Sequence, residues 1–288
     1  MDRESVVQGN NTTYNINEKV AFNLQDALDL QVSSLLKSLQ LAFSIPKEVH
    51  FINIDSKKTC FHQHVLNKAV EIMKSIKNIG SEMFNLGSIP VFKIESFSIP
   101  DNNGSLVKEI ITAKQETVIK IKSIRKSLEE SDRENVKKLA RDEEYLAKSW
   151  LQIADSLCTT DLYNAGLATG SQHSVTSKDI KILQEALEFN LTSGAYVVYS
   201  VVTSGNKNSR KLEDVRKKMD HNLAIANQII ALQGVPDFAS IDVTIDSEFE
   251  TYGSNQLDYL RGQINSIESS SAKELLGKIV NEKPDLVH

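Results

Sequence analysis

The chain has 288 residues, of which 40% are hydrophobic and 25% charged, and a formal net charge of −5. This length favours two domains of roughly 100–150 residues, and the negative charge argues against a nucleic-acid-binding surface, which would be basic. Two cysteines are too few for a disulfide framework, and since no signal peptide or membrane-length apolar run is recognisable, we expect a cytoplasmic protein without membrane contact.

Four stretches of helical periodicity occupy the first half of the chain. Their apolar residues recur at three- and four-residue spacing, which indicates amphipathic helices. The stretches cover residues 18–45, 61–86, 106–128 and 134–157. Between the second and third, Pro90 and Pro100 interrupt helix while apolar residues alternate, so an extended connection is predicted there. Ser131 or Asp132 is expected to cap the fourth helix.

Polar segments mark the expected domain boundaries. Residues 1–17 are rich in Asn and Thr and are predicted to form a flexible N-terminal tail. Residues 159–177 contain many Ser, Thr and Gly and are predicted to be a linker. We therefore expect a first domain at 18–158 and a second at 178–288.

The second domain repeats short segments of the first. Residues 24–29 (LQDALD) are matched 159 residues later by LQEALE, which begins at 183 (183 − 24). Residues 89–92 (IPVF) are matched 146 residues later by VPDF, which begins at 235 (235 − 89). Similarity of this kind at a large period indicates a tandem duplication. In the second register Met73 corresponds to Met219.

The second copy ends early. Its third helix is predicted at 248–267, and a fourth begins over 272–280 before Pro284 stops it. Helix, turn, helix, long connection, helix, turn, helix is the connectivity of a four-helix bundle with one long crossover. A shortened last helix would leave an apolar groove, so packing against the first domain or another chain is expected.

Three segments resemble parts of bacterioferritins. Residues 83–90 (MFNLGSIP) and 232–236 (LQGVP) are similar to the Leu-x-Gly-x-Pro end of that family's second helix. Residues 141–144 (RDEE), followed by Trp150, are similar to its fourth-helix Asp-Glu-Glu-x-His-x-x-Trp motif. The chain thus resembles the ferritin-like superfamily, closest in pattern to bacterioferritin and Dps-type proteins. The resemblance implies an all-α fold of two tandem ferritin-like four-helix bundles with long crossover connections, the second truncated in its last helix.

The resemblance also implies a di-iron centre in each bundle, and most of its ligands are missing. Such centres take one Glu from each of two helices and a Glu-x-x-His from each of the others. In the first unit the ligand positions fall on Gln31, Ile72 with Ser75, and Glu143 with Leu146. In the second they fall on Asn190, Lys218 with His221, and Lys283 with Leu286.

The surviving metal-ligand candidates are Glu116 (or Glu109) on the third helix, Glu143 and His221. Each also has an ordinary interpretation, since Glu143 suits a solvated helix face and His221 suits a satisfied core or surface histidine. Lys218 is a candidate replacement for the positive charge of a lost metal. Iron binding is therefore a hypothesis that rests on an incomplete ligand set.

Met73 and Met219 carry a separate hypothesis. In the family that the chain resembles, a Met one residue after the second-helix Glu ligates haem, and two such residues meet across a twofold axis. A pseudo-twofold axis between the fused units would bring Met73 and Met219 together around one haem. The alternative, which we favour, is that both side chains fill gaps in helix packing and were copied by the duplication.

Our leading functional expectation is a ferritin-like protein that has lost most di-iron ligands and acts as an assembly or scaffold subunit, or associates weakly with iron. The enzymatic alternative is an iron-oxidising, iron-storing relative with a rearranged site. The third hypothesis is haem binding through Met73 and Met219. Because one chain already contains two bundles, a homo-oligomer is expected.

Overall fold

Most of the protein is helical, as the all-α prediction requires. The structure is a computed structural model that describes residues 18–45, 51–54, 57–167, 178–204, 209–245 and 249–281, without the side chains of 209–214 and 250–252. The helices are α1 (Glu18–Ser44), α2 (Phe61–Asn85), α3 (Asn103–Ile124), α4 (Glu130–Leu157), α5 (Lys178–Thr203), α6 (Ser209–Ala231), α7 (Phe249–Gln263) and α8 (Ser270–Asn281). The strands are β1 (Phe51–Ile54), β2 (Lys57–Cys60), β3 (Phe92–Ile94) and β4 (Val243–Ile245).

The helices with predicted bounds begin and end within about one turn of those positions. The side chain of Asn102 caps α3 by accepting a 2.8 Å hydrogen bond from the backbone N–H of Ser105. In contrast, α4 begins after Glu129, which makes no side-chain capping bond. The prediction of a cap at Ser131 or Asp132 was therefore wrong, because the helix starts one turn earlier than periodicity indicates.

The first four helices share one core. Helix α1 packs against α2 and α3, while α4 packs against α3 and α2. Helix α1 is buried along nearly its whole length, whereas α4 keeps a charged outer face. Trp150 on α4 and Phe61 on α2 are among the largest fully buried side chains. An apolar interior of this kind supplies the main stabilisation of such helices.

The last four helices pack in a corresponding order. Helix α5 contacts α6 and α7, and α8 contacts α5, α6 and α7. Contacts between α2 and α5 join the two halves, and buried apolar residues of both halves form one continuous cluster. Helix α8 spans 12 described residues, whereas α4 spans 28. No helix in the described ranges is long and apolar enough to cross a bilayer.

Two small antiparallel sheets accompany the helices. The hairpin β1–β2, in which Phe51 pairs with Cys60, was not predicted. Strand β3 confirms the extended connection predicted after α2. It pairs with β4 of the other half, Phe92 opposite Ile245 and Ile94 opposite Val243.

In each half, a glutamine side chain makes the same two hydrogen bonds to the connection that follows the second helix. Gln25 donates to the carbonyl of Val91 at 2.6 Å and accepts from its N–H at 3.0 Å. Gln184 makes the same two bonds with Asp237, whose N–H lies 3.0 Å from Oε1. Both glutamines lie in the matched LQDALD and LQEALE segments. Each amide therefore satisfies both polar groups of one connecting residue.

The ends of α2 and α6 also correspond. Gly87 has φ 86° and Gln233 has φ 62°, both in the left-handed region, and the two positions are 146 residues apart (233 − 87). The N–H of Ser88 donates to the carbonyl of Met83, and that of Gly234 to the carbonyl of Ile229, each at 2.9 Å. This is the Schellman arrangement of a helix end.

Part of the predicted domain scheme lies outside the described residues. This applies to the predicted tail at 1–17, to 168–177 of the predicted linker, and to 282–288 with Pro284, Lys283 and Leu286. Residues 159–167 of the linker are described and contain a short 3-10 turn at Asp161–Tyr163. The domain limits 18–158 and 178–288 stay a prediction.

Candidate functional site

A cluster of four polar side chains lies in the core between the first four helices. Gln31 comes from α1, Ser75 from α2, Lys114 from α3 and Glu143 from α4. All four are buried, and Gln31 and Lys114 have 0% of their surface exposed. Three of them are positions to which the ferritin resemblance assigned metal ligands. The helices therefore bring these expected positions together.

Hydrogen bonds join the four side chains into one chain of donors and acceptors. Lys114 Nζ donates to Gln31 Oε1, and Gln31 Nε2 donates to Glu143 Oε2 at 2.7 Å. The hydroxyl of Ser75 donates to the other carboxylate oxygen, Glu143 Oε1. Gln31 thus bridges the cation and the anion, and each charged group has a charge-assisted bond.

Burial and mutual attraction act in opposite directions on the two ionisable groups. Burial lowers the pKa of Lys114 to about 7, and the nearby Glu143 carboxylate opposes this shift. Burial also raises the pKa of Glu143, against the charge of Lys114 and the hydrogen bonds from Ser75 and Gln31. The pair carries no net charge whether the proton resides on the amine or on the carboxyl. This neutrality makes its complete burial tolerable.

The donor set of this cluster does not fit a di-iron centre. Iron in such centres requires several carboxylates and imidazoles, whereas this cluster offers one carboxylate, one amide, one hydroxyl and an amine. A protonated amine has three N–H donors and no lone pair for a metal. The ligand positions at Ile72 and Leu146 are buried aliphatic side chains. Within the described ranges, no three His, Cys, Asp or Glu residues are grouped closely enough to hold a metal ion.

No family model, curated protein or solved structure matches the chain.

The corresponding positions in the second half form a neutral amide contact. Asn190 Nδ2 donates to the carbonyl of Lys218 at 2.7 Å and to Asn222 Oδ1 at 2.9 Å. The ammonium of Lys218, which was expected to replace a metal's charge, lies 6.0 Å from the centroid of the Phe189 ring. In the first half, a buried lysine, Lys114, lies beside the predicted ligand positions Gln31 and Glu143.

The predicted ligand residues lie in different surroundings. Glu143 is in the core cluster, Glu116 is exposed on α3, and His221 is half-buried on α6. The solvated-face interpretation of Glu143 was wrong, since only 1% of this residue is exposed. Metal ligation by Glu116 and His221 stays a prediction.

Lys114 was not predicted as a site residue, although its position in the sequence is unusual for a lysine. It occupies an apolar stripe on α3 with Ile110, Ile111 and Ile121, all of them buried. A lysine at a core position of an amphipathic helix needs a buried partner. An acidic residue on the facing helix, here Glu143, was the partner to seek.

Met73 and Met219 line the same cavity between the two halves. Met219 on α6 is buried and Met73 on α2 is half-buried. The two side chains that carry the haem hypothesis therefore face a common space.

Proposed function

We propose that this protein is a ferritin-like pair of four-helix bundles, derived by tandem duplication, that has exchanged its di-iron centre for a buried lysine–glutamate pair. It would act as an assembly or scaffold subunit without ferroxidase activity. The observation that carries this proposal is the meeting of Gln31, Ser75 and Glu143 in one hydrogen-bonded cluster with Lys114. Three positions assigned to metal ligands from short sequence motifs would not be expected to converge by chance.

The matched details of the two halves support the duplication. Gln25 and Gln184 bind their connections through the same two atoms, at positions 159 residues apart (184 − 25). The left-handed residues Gly87 and Gln233 end α2 and α6 with the same hydrogen bonds. Copies of one ancestral unit would inherit both features together.

The pairing between the two connections supports a pseudo-twofold relation. Phe92 pairs with Ile245, and further along the N–H of Phe97 donates to the carbonyl of Ala239 at 2.9 Å. The start of each connection thus meets the end of the other. Antiparallel pairing of two equivalent segments is the contact that a twofold axis produces.

The lysine–glutamate pair supports the loss of iron chemistry. A ferritin-like interior has polar side chains that need a cation, and Lys114 supplies one within the chain itself. The cluster is closed by its own hydrogen bonds, so the fold would not depend on a metal for charge compensation. We further propose a cytoplasmic homo-oligomer, in line with the two free cysteines, Cys60 and Cys158.

Aerobic oxidation of ferrous iron, with the bound iron measured by elemental analysis, tests the proposal. We expect oxidation at the rate of buffer alone and far less than one iron per chain. The iron-storage alternative predicts catalysed oxidation with about two iron atoms per bundle. That stoichiometry would refute the scaffold function and leave the fold proposal standing.

Haem binding is a second candidate, because Met73 and Met219 also line the open cleft of about 750 Å³ between the two halves. A thioether pair from two facing helices could supply both axial ligands of a haem iron. Titration with haem would then produce a shifted Soret band that disappears in the Met73→Ala/Met219→Ala variant. An unshifted spectrum would leave the two methionines as packing residues.

A further inference from the structure

A cleft between the two halves has a basic mouth and an apolar end. Its open part has a volume of about 750 Å³ and lies among α2, α5 and α6. An apolar cavity of about 50 Å³ adjoins it and extends to α1 and β3. The two spaces share Met73, Val198, Val215 and Met219 as lining residues, so they are parts of one site.

The inner end of this cleft is almost entirely aliphatic. Leu35, Ile76 and Leu191 line it together with the shared residues, and Lys218 and Asn222 are its polar side chains. Its volume accommodates roughly three to five groups the size of a water molecule or a methylene. The last few carbons of a linear alkyl chain fit this inner space, whereas a ring system or a folded peptide segment does not.

The mouth of the cleft carries an excess of positive charge. Lys74 and Lys77 come from α2 and Arg216 from α6, and Asp220 is the only acidic residue among the described lining residues. None of the three cations forms an ion pair with another described residue. In a chain of net charge −5, this local excess favours an anionic group.

We propose that the cleft binds a single-chain amphiphile with an anionic head group. The head group lies against Lys74, Lys77 and Arg216, where charge-assisted hydrogen bonds to carboxylate or phosphate oxygens form. The alkyl chain runs past Met73 and Met219 into the apolar cavity. A volume of about 750 Å³ lies within the roughly 300–1,000 Å³ of small-molecule sites.

Calorimetric titration below the micelle concentration tests this binding with four probes. Dodecanoate and dodecyl phosphate carry the chain with an anionic head, dodecanol carries the chain alone, and inorganic phosphate carries the head alone. We expect both anionic amphiphiles to bind at least tenfold more tightly than dodecanol, and phosphate not to bind. The tighter of the two anions identifies the head group. Equal affinity for dodecanol and the anions, or no binding of either anion, overturns the proposal.

A charge-reversal variant separates the basic mouth from general electrostatics. Lys74→Glu/Lys77→Glu should weaken binding of the anions at least tenfold while leaving dodecanol within twofold. Lys126→Glu/Lys138→Glu makes the same charge change at exposed positions outside the cleft lining and should leave every affinity unchanged. Equal effects of the two variants contradict the assigned head-group position.

A blocking variant tests the position of the chain. Val198→Trp places a large ring at the junction of the two spaces and should abolish binding of all three dodecyl probes, with circular dichroism confirming the fold. If that variant does not fold, the charge-reversal pair still decides the proposal. Unchanged dodecanoate binding in folded Val198→Trp would overturn the proposed path of the chain.

Discussion

Replacing Lys114 with methionine removes the cation from the core while keeping a side chain of similar length. The Glu143 carboxylate then lies in the core with Gln31 and Ser75 as hydrogen-bond donors and without an opposite charge. Breaking a fully buried pair by removing one partner costs about 3–5 kcal/mol. Lys114 is 0% exposed, so solvent screening does not reduce this cost. Such a loss is a large part of the roughly 5–15 kcal/mol by which domains are stable.

The loss of stability in Lys114→Met should depend on pH. Burial raises the folded-state pKa of Glu143, and removing Lys114 deletes the largest influence that lowers it. The folded variant therefore holds a proton that the unfolded chain releases near pH 4.5, the ordinary value. Its free energy of unfolding falls as pH rises through this window, by up to about 1.4 kcal/mol per unit. The loss of unfolding free energy in Lys114→Met relative to wild type should therefore be smaller at pH 5 than at pH 8.

The wild type should show the opposite trend at higher pH. Because the folded-state pKa of Lys114 is lowered from 10.5 to about 7, the unfolded chain binds the proton more tightly than the folded one. The contribution of this group to stability is therefore complete above pH 10.5 and is lost as pH falls towards 7. This trend widens the difference between wild type and Lys114→Met in alkaline solution.

Urea denaturation followed by circular dichroism at pH 5 and pH 8 measures these effects. The double variant Lys114→Met/Glu143→Gln removes both charges and should be more stable than Lys114→Met alone. The control is Lys122→Met, which breaks an exposed ion pair with Glu144 and should change stability by less than about 1 kcal/mol. An equal loss of stability at both pH values, with additive effects of the two substitutions, would refute the electrostatic coupling of Lys114 and Glu143.

Three further predictions concern the matched features of the two halves and the core cluster. Gln233→Gly should stabilise the protein by about 1 kcal/mol in urea denaturation, since glycine adopts the left-handed backbone without strain, and Gly87→Gln should destabilise it by a similar amount. Gln25→Ala and Gln184→Ala should each lower the free energy of unfolding by about 1–3 kcal/mol and speed amide exchange in the connection that the glutamine binds. A loss of stability in only one of the two variants would contradict equivalent roles. Added Mn²⁺ should stabilise Lys114→Glu by about 2.7 kcal/mol at a hundredfold excess over Kd and raise its melting temperature, while the wild type stays unchanged. An equal response of both proteins would contradict the proposed role of Lys114.

Helix positions could be predicted because a helix that buries one face has apolar residues at three- and four-residue spacing. The stretches at 61–86 and 134–157 correspond to α2 and α4 within about a turn, and the prolines after α2 correctly marked an extended connection. The hairpin β1–β2 escaped prediction because strands of four residues are too short for a distinct alternation.

The core cluster was predictable only in part. Motif positions identified Gln31, Ser75 and Glu143, since each could be counted from a recognisable segment. Lys114 has no such segment, and its role depends on a tertiary contact with Gln31 beside Glu143 across helices. The basic cleft was equally inaccessible, because Lys74 and Arg216 approach each other only after the two halves have packed.

A crystal structure determined after soaking with ferrous iron in air, with data collected at the iron absorption edge, tests the central claim most directly. We predict that Lys114 Nζ stays bonded to Gln31 Oε1, with no anomalous signal in the core of either half. Anomalous peaks beside Glu143, with the Lys114 side chain displaced from the cluster, would contradict the replacement of metal by lysine.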